Sequence, residues 1–326
     1  MNDITAIKQP VIAEFQQFEA FFSDAFESDN QVLKEIYAYV LDNVGKQVRP
    51  LLTLLCSHVC GGVTQTTIQA SVSLELMHTA SLLHDDVIDE ADQRRGKPSV
   101  HARWGNKSAI LAGDYLLASS FLVTTTINHP KIWQILASVG KQLAVGELLQ
   151  QDSTIDMQWS EAHYLDVIYN KTAQLFAACC QVGALAANAT KEQVAAMKQF
   201  GENIGLIFQI KDDIFDYFDS KEIGKPTGND LKEGKITLPL LHALSQVSSD
   251  ESASILNLIR QVYHNHDESI IPLIQQFARA QGGIRYAEER MDFYQQQALA
   301  ALSLFEESEG KSALLAALHF VSDRNY

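Results

Sequence analysis

Residues 74–89 read LELMHTASLLHDDVID, a strongly apolar helical run that ends in three aspartates. Residues 205–216, GLIFQIKDDIFD, repeat this arrangement in the second half of the chain. Residues four apart on a helix share one face, about 6 Å apart along the axis, so each acidic pentad places two carboxylates on one side. Like charges at this spacing repel each other, and more strongly where water is withdrawn. Each pentad therefore requires cationic counter-charge.

Oxygen ligands alone suit a hard divalent cation such as Mg2+. This ion usually keeps several waters and takes further ligands from substrate phosphates. One DDxxD pattern is weak evidence, because most such matches are solvated helix faces. Two whole pentads are stronger evidence, and basic residues follow each: Arg94 and Arg95 the first, Lys225 and Lys235 the second. The sequence therefore predicts Mg2+ bound beside a phosphate-bearing substrate.

The composition favours a large helical protein. Of the 326 residues, 46% are apolar, which supplies a large core, and seven prolines leave long uninterrupted tracts. No segment resembles a linker, so we expect one all-helical domain over residues 1–326. The run that precedes the first pentad is apolar on nearly every side, which predicts a central, buried helix.

Helical periodicity recurs along the chain, whereas alternating strand patterns are scarce. Two segments that directly follow the pentads, residues 90–106 and 219–235, are expected to be ordered loops that carry function. The predicted helices are 11–27, 30–44, 50–60, 66–89, 107–127, 131–152, 161–188, 191–218, 236–247, 252–264, 270–280, 284–305 and 309–321.

Charge and cysteine content exclude several classes. A net charge of -15 argues against non-specific nucleic-acid binding, which needs a basic face. The N-terminus lacks the pattern of a secretory signal, and no uninterrupted apolar stretch is long enough to predict a transmembrane segment. The four cysteines lack the CxxC pairing of a zinc or redox site. We therefore expect a cytoplasmic protein with buried, reduced thiols.

In order and spacing, these motifs resemble the trans-isoprenyl (polyprenyl) diphosphate synthase family, from Gly45 to Arg324. The matching segments are residues 75–98, Gly113-Asp114-Tyr115, Lys171-Thr172, residues 208–216 and GKITLP at 234–239. The resemblance implies an all-α helical bundle of the isoprenoid synthase type with a central active-site cavity. It also implies a homodimer, and peripheral membrane contact during product release.

The resemblance implies that both pentads hold three Mg2+ ions on an allylic diphosphate. Ionising an allylic carbon–oxygen bond leaves a delocalised cation and a diphosphate with extra negative charge, so catalysis requires metals and basic groups rather than a protein nucleophile. The implied main metal ligands are Asp85, Asp89 and Asp212, supported by Asp86, Asp213 and Asp216. The implied ligands of the allylic diphosphate are Arg94, Lys171, Lys235 and Lys225.

The second substrate, isopentenyl diphosphate, needs a metal-free cationic pocket. The family builds it from residues that match Lys46, Arg49, His78 and Arg95, all present here. One departure is Gln47, where many relatives carry Arg, and this removes one extra contact. Thr172, Gln209 and Phe208 match residues that line the reaction centre.

The growing hydrocarbon must leave the metal site along an apolar channel, so the side chains one turn before the first pentad control the length of the product. Short-chain members commonly carry aromatic rings there, whereas this chain has Ala80 and Ser81. The small pair leaves an apolar channel open, so we predict a long-chain synthase. The floor of the channel is expected farther away, at Leu117, Phe121 or Leu122.

Two alternatives stay open. A class I terpene cyclase would ionise one diphosphate with similar metals, but would not need Lys46, Arg49, His78 and Arg95 as a second anion site. A non-catalytic partner subunit of a prenyl synthase would bind and regulate, but such subunits tend to lose aspartates from a pentad. Both pentads are whole here.

Overall fold

The computed structural model describes residues 4–156, 160–218 and 227–323, and helices dominate them. In the first half the helices are α1 Ile4–Lys8, α2 Ile12–Asp24, α3 Gln31–Leu41, α4 Val48–Cys60, α5 Gln65–Ile88, α6 Val100–Trp104, α7 Asn106–Thr125 and α8 Pro130–Asp156. A 3-10 turn, Gln9–Val11, precedes α2, and two short strands, β1 Gln93–Arg94 and β2 Lys97–Pro98, lie between α5 and α6.

In the second half, α9 Glu161–Ile168 continues into a π-helical turn at Tyr169–Ala173, which we call the π-turn. The helices that follow are α10 Gln174–Ala186, α11 Lys191–Phe215, α12 Asn229–Lys232, α13 Leu238–Ser245, α14 Ser249–Asn265, α15 Ile271–Ala280, α16 Gly283–Leu302 and α17 Glu309–Ser322. A 3-10 turn at Glu268–Ile270 precedes α15. The predicted all-α architecture is confirmed.

The chain forms two compact units. The first comprises Met1–Lys141, Leu175–Gly201 and Ala301–Ala317, and the second comprises Gln142–Gln174, Glu202–Ala300 and Leu318–Tyr326. Each unit contains one acidic pentad. The expectation of a single domain over residues 1–326 stays a prediction.

In the first unit, α5 is the central helix. Thr64 caps it, because its hydroxyl accepts a hydrogen bond from the backbone N–H of Thr67 while the Thr67 hydroxyl accepts one from the N–H of Thr64. The helix packs against α2, α4 and α7, and its buried positions extend around the whole circumference. The predicted central helix over residues 66–89 is thereby confirmed.

In the second unit, the C-terminal end of α11 is fixed to α13 and α15. Tyr217 is fully buried and shares a 2.9 Å hydrogen bond with the hydroxyl of Thr237. Arg279 donates a 3.0 Å hydrogen bond to the carbonyl of Tyr217, and Gln275 donates one of 2.7 Å to that of Asp216. This network holds the backbone of the second pentad in place.

The segment after the first pentad is more regular than predicted. Strands β1 and β2 pair antiparallel across a two-residue turn formed by Arg95 and Gly96, both with positive φ. Such a turn matches the twist of a hairpin. Ser99 then caps α6 by accepting a hydrogen bond from the N–H of Ala102. The hairpin presents Arg94 and Arg95 as neighbours on a defined backbone rather than on an irregular loop.

Among the described helices, α7 alone is long and apolar enough to cross a membrane by length and composition. Core helices of globular proteins meet the same criterion, and α7 packs along α5 in the first unit.

Candidate active site

The first pentad lies at the C-terminal end of α5, with Asp85 and Asp89 half-buried and Asp86 buried. Arg94 grips Asp86 with two guanidinium nitrogens, Nε at 2.8 and 3.0 Å from the two carboxylate oxygens and Nη2 at 2.7 Å from Oδ1. This forked, charge-assisted contact fixes Asp86. Asp86 is therefore held by Arg94, while Asp85 and Asp89 lie on either side of it at the helix end, and its supporting role toward a metal stays a prediction.

A cavity beside the first pentad gathers several predicted diphosphate ligands. His78, Arg94 and Arg95 line it, together with Gly45, which directly precedes the exposed Lys46. The guanidinium of Arg95 lies against Gly45, where a Cβ would come within 2.6 Å of Nη2. The other lining residues are Tyr39, Val40, Asn43, Val44, Glu75, Thr79, Leu82, Leu83, Asp86, Pro98, Ser99 and Val100. The lining thus combines two arginines, two carboxyl groups and several apolar side chains.

Arg49 contacts His78, one of the residues that line this cavity, although Arg49 itself is not among the lining residues. Its Nη1 donates a 3.0 Å hydrogen bond to Nε2 of His78, because a guanidinium has only donors and the imidazole nitrogen must accept. Burial and the nearby arginines lower the pKa of His78 well below its usual range. His78 is therefore neutral, and Nδ1 carries its proton.

Glu75 is a residue of this cavity that the sequence analysis missed. Its side chain is buried, and its Oε2 atom has no hydrogen-bond partner among the described residues. Burial raises the pKa of Glu75 to about 7, and the charges of Arg49 and Arg95 partly offset that rise. The available signal was an acidic residue three positions before His78 in an otherwise apolar helix.

The second pentad belongs to a chain of buried hydrogen bonds. The hydroxyl of Thr172, in the π-turn, donates a 2.7 Å hydrogen bond to Oε1 of Gln209, whose Nε2 donates one of 2.8 Å to Asp213. Tyr164 donates a 2.6 Å hydrogen bond to the other oxygen of Asp213. The structure thus joins Thr172 and Gln209 to a pentad aspartate. Asp212, beside Asp213, is half-buried.

The last aspartate of this pentad, Asp216, accepts hydrogen bonds of 3.1 and 3.0 Å from the backbone N–H groups of Asn229 and Asp230. Burial and the neighbouring carboxyls raise the pKa of Asp213 to about 8 and that of Asp230 to about 8, and burial raises that of Asp216 to about 6. Asp230 was not predicted. It lies on α12, and its backbone N–H donates a hydrogen bond to Asp216, which precedes it by 14 residues.

The donor set of both pentads fits a hard divalent cation. The flanking aspartates supply oxygen ligands, and Asp86, Asp213 and Asp216 are held by hydrogen-bond donors. In the second pentad, burial above all, with neighbouring carboxyls, raises the pKa of Asp213, and a bound cation would favour its charged form. In the described parts of the chain, no three His, Cys, Asp or Glu side chains already surround one point. Substrate oxygens and water would therefore complete the coordination, as Mg2+ commonly requires.

The two described lysines that are predicted to bind the allylic diphosphate both have acidic partners. Lys171 Nζ lies 2.6 Å from Oε2 of Glu147 on α8, and Lys235 forms an ion pair with Glu233. Lys225, the third predicted lysine, lies outside the described residues.

The predicted chain-length residues occupy different environments. Ala80 is 2% exposed, and Ser81 is half-buried with its hydroxyl bonded to the carbonyl of His78. Phe121 and Leu122 are 51% and 70% exposed on α7, whereas Leu117 is half-buried.

A sequence model of the polyprenyl synthetase family matches residues 30–275. The chain belongs to this family. It is 36% identical over 300 residues to octaprenyl diphosphate synthase from Haemophilus influenzae, covering 92% of this chain and 90% of that one. The family membership implied by the motifs is confirmed.

Two solved structures of the polyprenyl synthetase family extend the comparison. The polyprenyl synthase from Caulobacter crescentus, complexed with calcium and isoprenyl diphosphate, superposes with a TM-score of 0.92 at 30% identity, covering 99% of this chain and 98% of its own. The geranylgeranyl pyrophosphate synthase from Bacteroides thetaiotaomicron has a TM-score of 0.85 at 39% identity, covering 99% and 100%. The names of these relatives give different product lengths; the octaprenyl name supports a long-chain product, and the exact carbon number stays open.

Proposed function

We propose that this protein is a divalent-metal-dependent trans-prenyltransferase. It condenses isopentenyl diphosphate with an allylic diphosphate, farnesyl or a similar primer, and repeats the step to give a long-chain polyprenyl diphosphate. The observation that carries the proposal is the cavity lined by His78 and Arg95, with Arg49 bonded to His78, which we propose as the second anion site. A terpene cyclase needs no such pocket, and a non-catalytic subunit does not require two whole pentads.

The metal ligands in this proposal are Asp85, Asp89 and Asp212, with three Mg2+ ions as the family resemblance implies. When bound, the ions stabilise the negative charge that develops on the departing diphosphate. Arg94, Lys171 and Lys235 add positive charge around the same group, and Lys225 is proposed to join them.

Two side chains are proposed to face the allylic cation. Thr172 and Gln209 are joined by their 2.7 Å hydrogen bond, and Gln209 is fixed further by its bond to Asp213. Their neutral oxygens stabilise a delocalised cation without capturing it. No side-chain base is proposed, and the final proton goes to an oxygen of the departing diphosphate.

The second substrate is proposed to bind at this cavity, with Arg95 from its lining and the nearby Arg49 and Lys46 as charged ligands. His78 is neutral and accepts from Arg49, so it orients that guanidinium. The apolar residues of the lining, among them Val40, Val44 and Leu82, suit the five-carbon hydrocarbon.

Mass analysis of the products tests this function. Purified protein incubated with isopentenyl diphosphate, an allylic primer and Mg2+ should give polyprenyl diphosphates, and Asp85→Asn or Asp212→Asn should lower kcat on the order of 100-fold. Arg95→Gln should raise KM for isopentenyl diphosphate and leave KM for the primer unchanged. Cyclic products from the primer alone would favour the cyclase, and absence of chain growth with several primers would favour the partner subunit.

We also propose a cytoplasmic homodimer. All four cysteines are free thiols, which supports a reducing compartment. An exposed apolar stripe on α7 supports the dimer, formed by Ile110, Leu111, Ala118, Phe121 and Leu122. Peripheral membrane contact during product release is the alternative use of an exposed apolar face.

A further inference from the structure

Each predicted ligand of the allylic diphosphate that the structure describes is paired with an acidic side chain. Arg94 is bonded to Asp86, Lys171 to Glu147, and Lys235 to Glu233. Asp86 belongs to a pentad, so its pairing has a ready explanation. Glu147 belongs to neither pentad, and its contact with Lys171 has no role in the function proposed above.

The contact between Glu147 and Lys171 is built into the backbone. Helix α8 approaches the π-turn so closely that a Cβ on Gly146 would lie 2.6 Å from the backbone nitrogen of Lys171. Glu147, the next residue, places Oε2 at 2.6 Å from Lys171 Nζ, and Gln150 accepts a second hydrogen bond from the same ammonium at 3.2 Å. The Lys171 and Glu147 side chains are only 24% and 17% exposed, so the pair is partly withdrawn from water.

Resting on the proposed function, we infer that Glu147 is a positioning residue that holds the ammonium group of Lys171 and makes diphosphate binding at this lysine depend on Mg2+. Lys171 would touch the diphosphate, whereas Glu147 acts through Lys171. The contact fixes the direction of the ammonium group. It also makes Lys171 favour a metal-bound diphosphate over a metal-free one, because the Glu147 carboxylate is negative.

This preference for the metal-bound diphosphate follows from Coulomb's law. A metal-free diphosphate that approaches Lys171 brings several negative charges within a few ångströms of the Glu147 carboxylate. In the Mg2+ complex of the diphosphate, the metal neutralises much of that negative charge, so Glu147 repels the complex less than it repels the metal-free anion. At about 5 Å and with the screening of a partly exposed site, one carboxylate changes the affinity for the metal-free anion by about five- to tenfold.

Binding of inorganic pyrophosphate, measured by calorimetry on the full chain, tests the inference. Titrations are made in a chelator and in excess Mg2+, and the ratio of the two Kd values is compared between proteins. Glu147→Gln should tighten metal-free binding about five- to tenfold and Mg2+-supported binding by less, so the ratio falls. Glu147→Asp, which keeps the charge, should restore most of the ratio.

Glu202→Gln is the matched control. Glu202 accepts a 2.8 Å hydrogen bond from Tyr169 in the same π-turn, so the control removes an equal charge next to a different residue. It should leave the ratio close to that of the wild type. An unchanged ratio in Glu147→Gln would overturn the inference while leaving the proposed function intact. If the wild type does not bind pyrophosphate with Mg2+, that result contradicts both the inference about Glu147 and the proposed function.

Discussion

At the scale of single residues, Glu75 is the least expected feature of the chain. A carboxylate in the cavity that we propose for a diphosphate would repel that ligand, and burying its Oε2 without a hydrogen bond adds a desolvation cost. Arg49 and Arg95 favour the charged form of Glu75, but burial outweighs them and raises its pKa to about 7. Glu75 therefore exchanges a proton near neutral pH.

We predict that Glu75→Gln removes a pH dependence of stability. The pKa of Glu75 rises from 4.5 to about 7 on folding, so the folded protein binds the proton more tightly than the unfolded chain. The free energy of unfolding of the wild type should therefore fall as pH rises from about 4.5 through 7. Relative to the wild type, the variant should gain about 2 to 3 kcal/mol between pH 5 and pH 8.

Urea unfolding at several pH values measures this difference. Glu35→Gln, at an exposed position on α3, controls for the loss of one carboxylate. A difference between Glu75→Gln and the wild type that does not change from pH 5 to pH 8 would contradict the prediction.

A second residue-scale prediction concerns Ala80. Ala80 lies five residues before Asp85 on α5, about 7.5 Å along the axis, and is buried. Substitution by Val, Leu and Phe should shorten the product progressively, because a larger side chain closes the proposed channel nearer the metal. Product mass measures the effect, and thermal unfolding identifies variants that are merely destabilised. An unchanged product distribution in a folded Ala80→Phe protein would show that the channel does not pass residue 80.

At the scale of the elements, the π-turn could not be predicted. Periodicity over residues 161–188 predicts one helix, and the chain is helical on both sides of Tyr169–Ala173. The extra residue per turn is set by tertiary contacts, namely the close approach of Gly146 and the bond between Thr172 and Gln209. Turns of this kind often occur at functional sites because they redirect side chains.

Other features of the fold and the site could be predicted from the sequence, because they depend on the pattern of residues close together in the chain. The central helix α5 follows from its apolar run, and the motif residues around each pentad follow from their spacing. Asp230 and Glu147 were missed because their contacts with Asp216 and Lys171 join segments far apart in the sequence. The hairpin β1–β2 was missed because strands of two residues carry no alternation.

Gly146 provides an element-scale prediction. In Gly146→Ala the new Cβ would lie 2.6 Å from the backbone nitrogen and 2.9 Å from the Cα of Lys171, and backbone atoms cannot yield as a side chain can. The π-turn should shift, costing about 1 to 3 kcal/mol of stability and displacing Lys171 and Thr172. Unfolding measurements and the kcat for the allylic substrate report the two effects.

Gly140→Ala on the same helix is the control for Gly146→Ala. Its new Cβ would meet only the sulfur of Met77, at 3.6 Å, an ordinary contact. It should therefore stabilise α8 by up to about 1 kcal/mol through helix propensity and leave kcat unchanged. Equal effects of the two substitutions would show that the approach of Gly146 to the π-turn is not essential.

At the scale of the whole molecule, the exposed stripe of α7 determines the proposed assembly. Ile110 and Leu111 are 42% and 65% exposed, and Phe121 and Leu122, three helical turns later on the same face, are 51% and 70% exposed. A homodimer would cover this face with the same face of a second copy, as expected for two-fold symmetry. The proposed dimer therefore depends on apolar contacts along the length of α7.

We predict that Leu111→Glu combined with Leu122→Glu gives a monomer. Both side chains are already exposed in the single chain, so the charges should change its folding little, whereas burying them in a symmetric interface would oppose like charges in an apolar contact. Light scattering after size-exclusion chromatography measures the mass. Leu273→Glu, at a 55% exposed position on α15, is the matched control and should remain a dimer. A wild-type monomer would contradict the homodimer, and vesicle flotation of that monomer would then test whether the stripe contacts a membrane.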